Sequence, residues 1–349
     1  MEHEIESLVQ EELLSVRKEK GDLAYLADVA FVLEKARVAA IVRMAHLAKT
    51  GRQSPDTEKV AELIRVAENY ADSRLAAHIV NHPTWPWASR IMGIGKENYP
   101  KVIGLIEAFG TYYDPGDPMI PPFVTRAPAS YQVIKDGEVV DKVGIWVEGI
   151  ERLPMPSKLW KYAGLDVDPE TGRAPKRTAG SKLGFNSQLR MALFRLGRSL
   201  LRAGSGPTKK APGRIVGIWY AGSDDDGYSR GYEGHRRVIA SMKEAQGYKI
   251  VPTPRERMCL QCNIEVKKKK ARFCPECDGP LTLKNEPPGV LFLGHLHQMA
   301  MRRMLKDFCI CLLLVWREAL GLPVSQPYNV ARLGEMPIDP WKMIDSHPE

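Results

Sequence analysis

Cysteine is scarce in this sequence, and no apolar run is long enough to cross a bilayer. Six cysteines among 349 residues are too few for a disulfide scaffold, which points to a reducing compartment. The longest apolar stretch, Phe308 to Trp316, is about half of the roughly 20 residues a spanning helix requires, so no membrane partner is expected. The opening MEHEIESLVQEELL is too charged for a secretory leader, and a cytoplasmic location follows as the expectation. Acidic residues are outnumbered: 50 Lys and Arg face 42 Asp and Glu, a formal net charge of +8. That balance favours a polyanionic partner, nucleic acid first and acidic membrane second. Hydrophobic residues at 44% and charged residues at 26% are ordinary for a globular chain, and the length allows two or three domains.

Four of the six cysteines are placed for a metal. Cys259, Cys262, Cys274 and Cys277 form two C-x-x-C pairs in MCLQCNIEVKKKKARFCPEC. Each pair can chelate one ion. Four thiolates suit tetrahedral Zn2+ and leave no open position, so the site reads as structural. With the shell complete, His295 and His297 are not needed as ligands. Cys309 and Cys311, in an apolar helical run, read as buried thiols. Lys267 to Lys270 lie between the pairs, either as a solvated tip or along a nucleic-acid backbone.

The fold class is mainly α. Residues 1–83 read as a helical hairpin or coiled-coil arm, with apolar positions at helical spacing and a helix start at Ser54-Pro55-Asp56-Thr57-Glu58. Residues 84–110 read as a helix-hairpin-helix. Gly93 and Gly95 permit a tight turn, amides at the start of the second helix can face a phosphate, and Lys96 can add charge. A plain helix–helix turn is the alternative. Residues 111–156 read as a β-hairpin insertion, with Asp136-Gly137 as the turn and a further strand near Val143 to Val147. A helical core is expected over 157–250 and 286–325, a zinc-ribbon-like knuckle over 251–285 and an irregular surface tail over 326–349. Within the core, Leu189, Leu193, Leu196 and Leu200 share one helix face. The preceding loop carries Arg173, Lys176, Arg177 and Lys182, which with Arg190 are candidate phosphate contacts or a solvated charged face. Asp224-Asp225-Asp226 reads as a solvated loop, although it is a local cluster that could take Mg2+.

The segment SKLWKYAGLDVDPETGRAPKRTAGSKLGFNSQLRMALFRLGRSLL resembles the C-terminal domain of the DEDD-type insertion-sequence transposases, the serine-dependent, bridge-RNA-guided DNA recombinases. The similarity is carried, in order, by Gly93-Ile94-Gly95, Tyr162-Ala163-Gly164-Leu165, Ser181-Lys182-Leu183-Gly184 and Asn186 with Leu189-Arg190 and Ala192-Leu193. HLHQMAMRRMLKDFCICLLLVW resembles that domain's last helix. The resemblance spans roughly residues 60–110, 155–203 and 295–318. It implies DNA as partner, a guide RNA, homo-oligomers, nucleoid association and Ser181 as nucleophile on a DNA phosphate. The family's N-terminal nuclease-like half, with four acidic metal ligands, has no counterpart in these residues. Mg2+ would then come through a separate acidic nuclease-like partner. One extra residue also separates Ser181 from the Leu-Arg pair. A non-catalytic, zinc-containing nucleic-acid-binding protein built on the same domain is the second reading, and a structural protein using the helical arm the third.

Overall fold

A serine cap followed by proline sets the sharpest helix boundary in the chain. The computed structural model describes residues 22–135, 138–168, 174–176, 180, 183–209, 212–222, 230–253, 257–259, 261–262, 264–266, 273–279, 281, 286–324 and 337–345. Helices α1 (Asp22–Lys49) and α2 (Pro55–Ile79) run antiparallel. Ser54 is extended, and its Oγ accepts the Thr57 amide at 3.3 Å, as the sequence predicts for a capping residue. The pair is cross-linked along its length by Arg37 with Glu68, by Arg43 Nε donating to Thr57 Oγ1 at 3.1 Å, and by His78 near Asp22. The part of the expected arm before residue 22 lies outside the described residues.

Beyond the arm, α3 (Trp85–Ala88) is one turn and α4 (Tyr99–Glu107) is nine residues long. The expected helix-hairpin-helix therefore has a first helix of a single turn. Its second helix is not a surface element, because every residue from Tyr99 to Ile106 is buried. Gly104 explains how α4 enters the core. A Cβ there would lie 2.3 Å from the Leu23 carbonyl oxygen and 2.7 Å from the Ala27 Cβ, so α1 and α4 meet backbone to backbone. Ala24, Ala27 and Ala30 are buried on α1.

Strands β1 (Thr111–Tyr113), β2 (Ala129–Lys135) and β3 (Glu138–Val147) form an antiparallel sheet in the order β1-β3-β2. Lys135 faces Glu138 and Val133 faces Val140. The turn pair Asp136-Gly137 lies outside the described residues. Val143 to Val147 is not a separate strand. β3 is continuous over ten residues and changes partner, facing β2 up to Gly144 and β1 from Ile145 onward. Its β1 partner lies ahead of the predicted hairpin, where no strand was expected.

Helix α5 (Pro156–Tyr162) leads towards α6 (Ser187–Gly204), whose Leu189, Leu193, Leu196 and Leu200 are fully buried. There follow α7 (Ile218–Ala221), α8 (Tyr232–Ala245), β4 (Lys249–Val251), β5 (Arg257–Cys259), β6 (Ile264–Val266), β7 (Val290–Phe292) and α9 (Leu293–Ala319). β4 pairs in parallel with β7, and β5 pairs antiparallel with β6. The chain divides into two compact units, residues 1–200 with 308–349, and residues 201–307. Among the described residues, no helix is long and apolar enough to cross a membrane.

The tail departs from expectation. Residues 340–343 form a 3-10 turn capped by Asp339, and Ile338, Met343 and Asp345 are buried. Two apolar side chains and a carboxylate with backbone partners hold a segment whose composition alone reads as surface loop.

Candidate functional site

The four cysteines of the two C-x-x-C pairs converge. Their sulfur atoms all lie within 4.8 Å of one another. Cys259 Sγ is 3.4 Å from Cys277 Sγ, and Cys274 Sγ is 4.0 Å from Cys262 Sγ. Thiolates about 2.3 Å from one tetrahedral Zn2+ stand about 3.8 Å apart, so the spacing fits the ion. The local backbone supports thiolate character. The Cys262 amide donates to Cys259 Sγ and the Glu276 amide to Cys274 Sγ, each at 3.4 Å. The Cys262 amide is the main reason that the Cys259 thiol is drawn down to about 7, whereas hydrogen bonding with Cys277 pushes the Cys262 thiol up. Both pairs approach the site through β5, β6 and the turn after Phe273, with Cys259 and Cys274 buried beside Val266 and Leu281. The histidines are engaged elsewhere: His295 Nδ1 lies 2.7 Å from Glu286, and His297 Nδ1 lies 2.7 Å from the Tyr232 hydroxyl. Cys309 and Cys311 are buried, as expected.

A second cluster gathers around Tyr162. The Asn186 amide donates to the Tyr162 carbonyl at 2.7 Å, and Asn186 Nδ2 donates to the Tyr162 hydroxyl at 2.9 Å. Asn186 Oδ1 accepts the amides of Gln188 and Leu189, both at 3.0 Å, and so caps α6. The Tyr162 hydroxyl donates to the Leu105 carbonyl of α4 at 3.2 Å. Gly164 has φ +63°, and a Cβ there would lie 2.5 Å from the Phe185 ring. Sequence segments 57 residues apart thus meet at one tyrosine.

Of the basic candidates, Lys176 is exposed. Arg190 is already engaged: its Nη1 donates to the Pro175 carbonyl at 2.9 Å and its guanidinium lies over the Phe185 ring at 5.1 Å. It therefore ties α6 to the middle of the loop. Partial burial lowers its pKa from the usual arginine value. Ser181, Arg173, Arg177, Lys182, Asp224 to Asp226 and Lys267 to Lys270 lie outside the described residues. Gly93 has φ +96°, Gly95 has open space where a Cβ would be, and Lys96 Nζ lies 5.9 Å from the Trp85 ring. No protein-family model, curated protein or solved structure matches the chain.

Sequence reading misses a buried polar chain in the same unit. The Tyr99 hydroxyl donates to Thr84 Oγ1 at 2.5 Å, and Thr84 Oγ1 lies 2.7 Å from His82 Nδ1. The Thr84 amide also donates to that nitrogen, which assigns the ring proton to Nε2, 3.7 Å from Glu107. Burial lowers His82 to about 4. Burial, with help from Glu148, raises Glu107 to about 7. No spacing rule connects these residues, so no sequence signal could have found them. A carboxyl raised on folding stabilises the fold fully below its ordinary value of 4.5, and that contribution is lost as the pH rises through about 7. Glu107→Gln is therefore expected to match the wild type at pH 5 and to exceed it at pH 8, by on the order of 2 kcal/mol in urea unfolding. Equal stabilities at both pH values would contradict the assignment.

Proposed function

We propose that this chain is a transposase-type DNA-binding protein acting in DNA transposition or recombination, with Ser181 as nucleophile and a structural Zn2+ on the four cysteines. The observation that carries this reading is the meeting at Tyr162. The Gly-Ile-Gly segment leads into α4, and the tyrosine of the Tyr-Ala-Gly-Leu segment bonds both to α4 and to the asparagine of the Asn-x-x-Leu-Arg segment. These are the pieces that carry the family resemblance. Their convergence sets the two ends of the basic loop around Ser181 side by side.

In the reaction, the Ser181 Oγ–phosphorus bond forms and the bond from that phosphorus to a sugar oxygen breaks. Serine gives up its proton and the sugar oxygen takes one. Loop cations would offset the charge on the non-bridging oxygens. Mg2+ would be held by a separate acidic nuclease-like protein, target choice would rest with a guide RNA, and the active form would be a homo-oligomer. The residues of the cysteine cluster would hold Zn2+ and brace a nucleic-acid surface.

One observation favours the second reading, a non-catalytic zinc-containing nucleic-acid-binding protein. Among the described residues, the cysteines are the only group of three or more side chains placed to hold a metal. Incubating the purified chain with DNA, with and without guide RNA and a Mg2+-bearing partner, separates the two. The catalytic reading expects a covalent protein–DNA adduct that Ser181→Ala abolishes. Salt-sensitive binding without an adduct leaves the second reading, and no binding at all rejects both.

A further inference from the structure

The geometry points to the C-terminal segment 337–345 as a clasp that holds the Gly93–Gly95 turn in its DNA-contacting shape, with Asp345 as the positioning residue. This inference rests on the reading that the turn touches nucleic acid.

Asp345 makes two bonds to the strand of chain entering the turn. Its Oδ2 accepts the Met92 amide at 2.6 Å, and its own amide donates to the Arg90 carbonyl at 3.0 Å. One residue thus satisfies a donor and an acceptor two positions apart. A second attachment lies five residues earlier, where the Trp87 indole donates to the Pro340 carbonyl at 2.8 Å. Trp87 is fully buried against Phe308, their ring centroids 5.6 Å apart, so this anchor is rigid. Ile338, just before these points, and Met343, between them, are buried, and Asp345 itself is only 5% exposed. The clasp is therefore packed rather than laid on the surface.

The turn needs such support. Its first arm, α3, is a single helical turn, too short to hold a loop by itself. Gly93 at φ +96° and the open site at Gly95 supply little stiffness of their own. Gly95 and Lys96 are exposed, whereas Met92 is drawn inward onto the carboxylate. A carboxylate accepting a backbone amide is a strong, directional contact, and here it fixes the chain three residues before the exposed glycine.

The test is DNA binding by the full chain, followed by fluorescence anisotropy with a labelled duplex and a salt titration. Lys96→Ala reports first whether the turn touches DNA, and weaker binding with a shallower salt dependence is expected. Asp345→Ala should weaken binding about tenfold, the loss of one charge-assisted hydrogen bond at the turn. Asp345→Asn keeps an acceptor for the Met92 amide and should stay within about twofold of wild type. With Lys96→Ala already present, Asp345→Ala should add little. Trp87→Phe, which keeps the ring packing and removes the bond to Pro340, serves if Asp345→Ala fails to fold, and it should weaken binding in the same direction. If Lys96→Ala has no effect, the turn is not a DNA contact and the underlying reading falls. If Lys96→Ala weakens binding while Asp345→Ala leaves it unchanged, the clasp inference is wrong. Tighter binding by both Asp345 variants would overturn it too, by showing that the carboxylate repels DNA rather than positioning the turn.

Discussion

Cys274→Ser is expected to abolish tight Zn2+ binding and to unfold the segment between Arg257 and Leu281 while leaving most of the helical signal intact. The reason is the size of the local core. Among the described residues, Val266, Leu281 and the half-buried Ile264 are the apolar side chains other than the cysteines that pack at this site. A cluster of that size is a small core for a segment of this length, and a bound metal would add the stabilisation it lacks. Structural Zn2+ in comparable small sites contributes about 10–16 kcal/mol of apparent binding energy at neutral pH, far more than such a cluster can. Serine offers a hard, neutral hydroxyl in place of a soft thiolate and breaks the closed four-sulfur shell. The long helices draw on other residues and should persist. The measurements are zinc content after dialysis and hydrogen exchange resolved to peptides. One equivalent of retained zinc, with unchanged protection over 257–281, would contradict the structural assignment. Chelation of the wild type should reproduce the variant, and because ligand thiols must lose their protons, zinc release should become easier as the pH falls.

Arg317→Met should destabilise the unit formed by residues 1–200 and 308–349 by about 3–5 kcal/mol. Arg317 is fully buried near the end of α9. Its Nε donates to the Pro323 carbonyl at 2.7 Å, and its Nη1 donates to the Ile150 carbonyl at 2.7 Å and reaches Leu153 at 3.5 Å. The guanidinium also lies over the Phe123 ring at 5.4 Å. Burial depresses its pKa, with Glu151 opposing that shift. One planar fork thus ties the helix end to the loop after β3 and to the chain leaving α9. Methionine fills much of the volume but leaves the carbonyls without donors. Lysine keeps a charge but cannot span three carbonyls from one nitrogen, so Arg317→Lys should recover only a minor part of the loss. Urea unfolding followed by circular dichroism measures both variants, and a loss below about 1 kcal/mol for Arg317→Met would show that water or a neighbour replaces the fork.

These two residues illustrate how unevenly the molecule was legible. The metal cluster was readable because C-x-x-C is a local chelate: a pair three residues apart can reach one ion without knowledge of the rest of the fold. Helix ends were readable for the same reason. Ser54 caps through an amide three residues away, and the four leucines of α6 share a face through helical periodicity. Arg317 offered no such cue. In sequence it ends an apolar helix like any solubilising cation, and its partners Ile150 and Leu153 lie 167 and 164 residues away. Arg190 reads in sequence as a phosphate contact or part of a solvated charged face, and its bond to Pro175 could be seen only in the fold. The continuity of β3 was hidden because the polar Asp141 and Lys142 interrupt its apolar run, yet both pair with β2 like the residues around them.

What the sequence by itself determined is therefore what short-range geometry determines: a mainly helical chain, its principal helix limits, a four-thiolate site and an excess of positive charge. The tertiary structure alone decided which polar groups lose water. Glu107 is raised, His82 lowered, Arg317 enclosed and Asp345 tucked under a turn by residues distant in sequence, and desolvation depends on that assembled surrounding. It also decided that residues 337–345 pack against the rest of their unit, because the Met92 amide and the Trp87 indole find their acceptors 253 residues away.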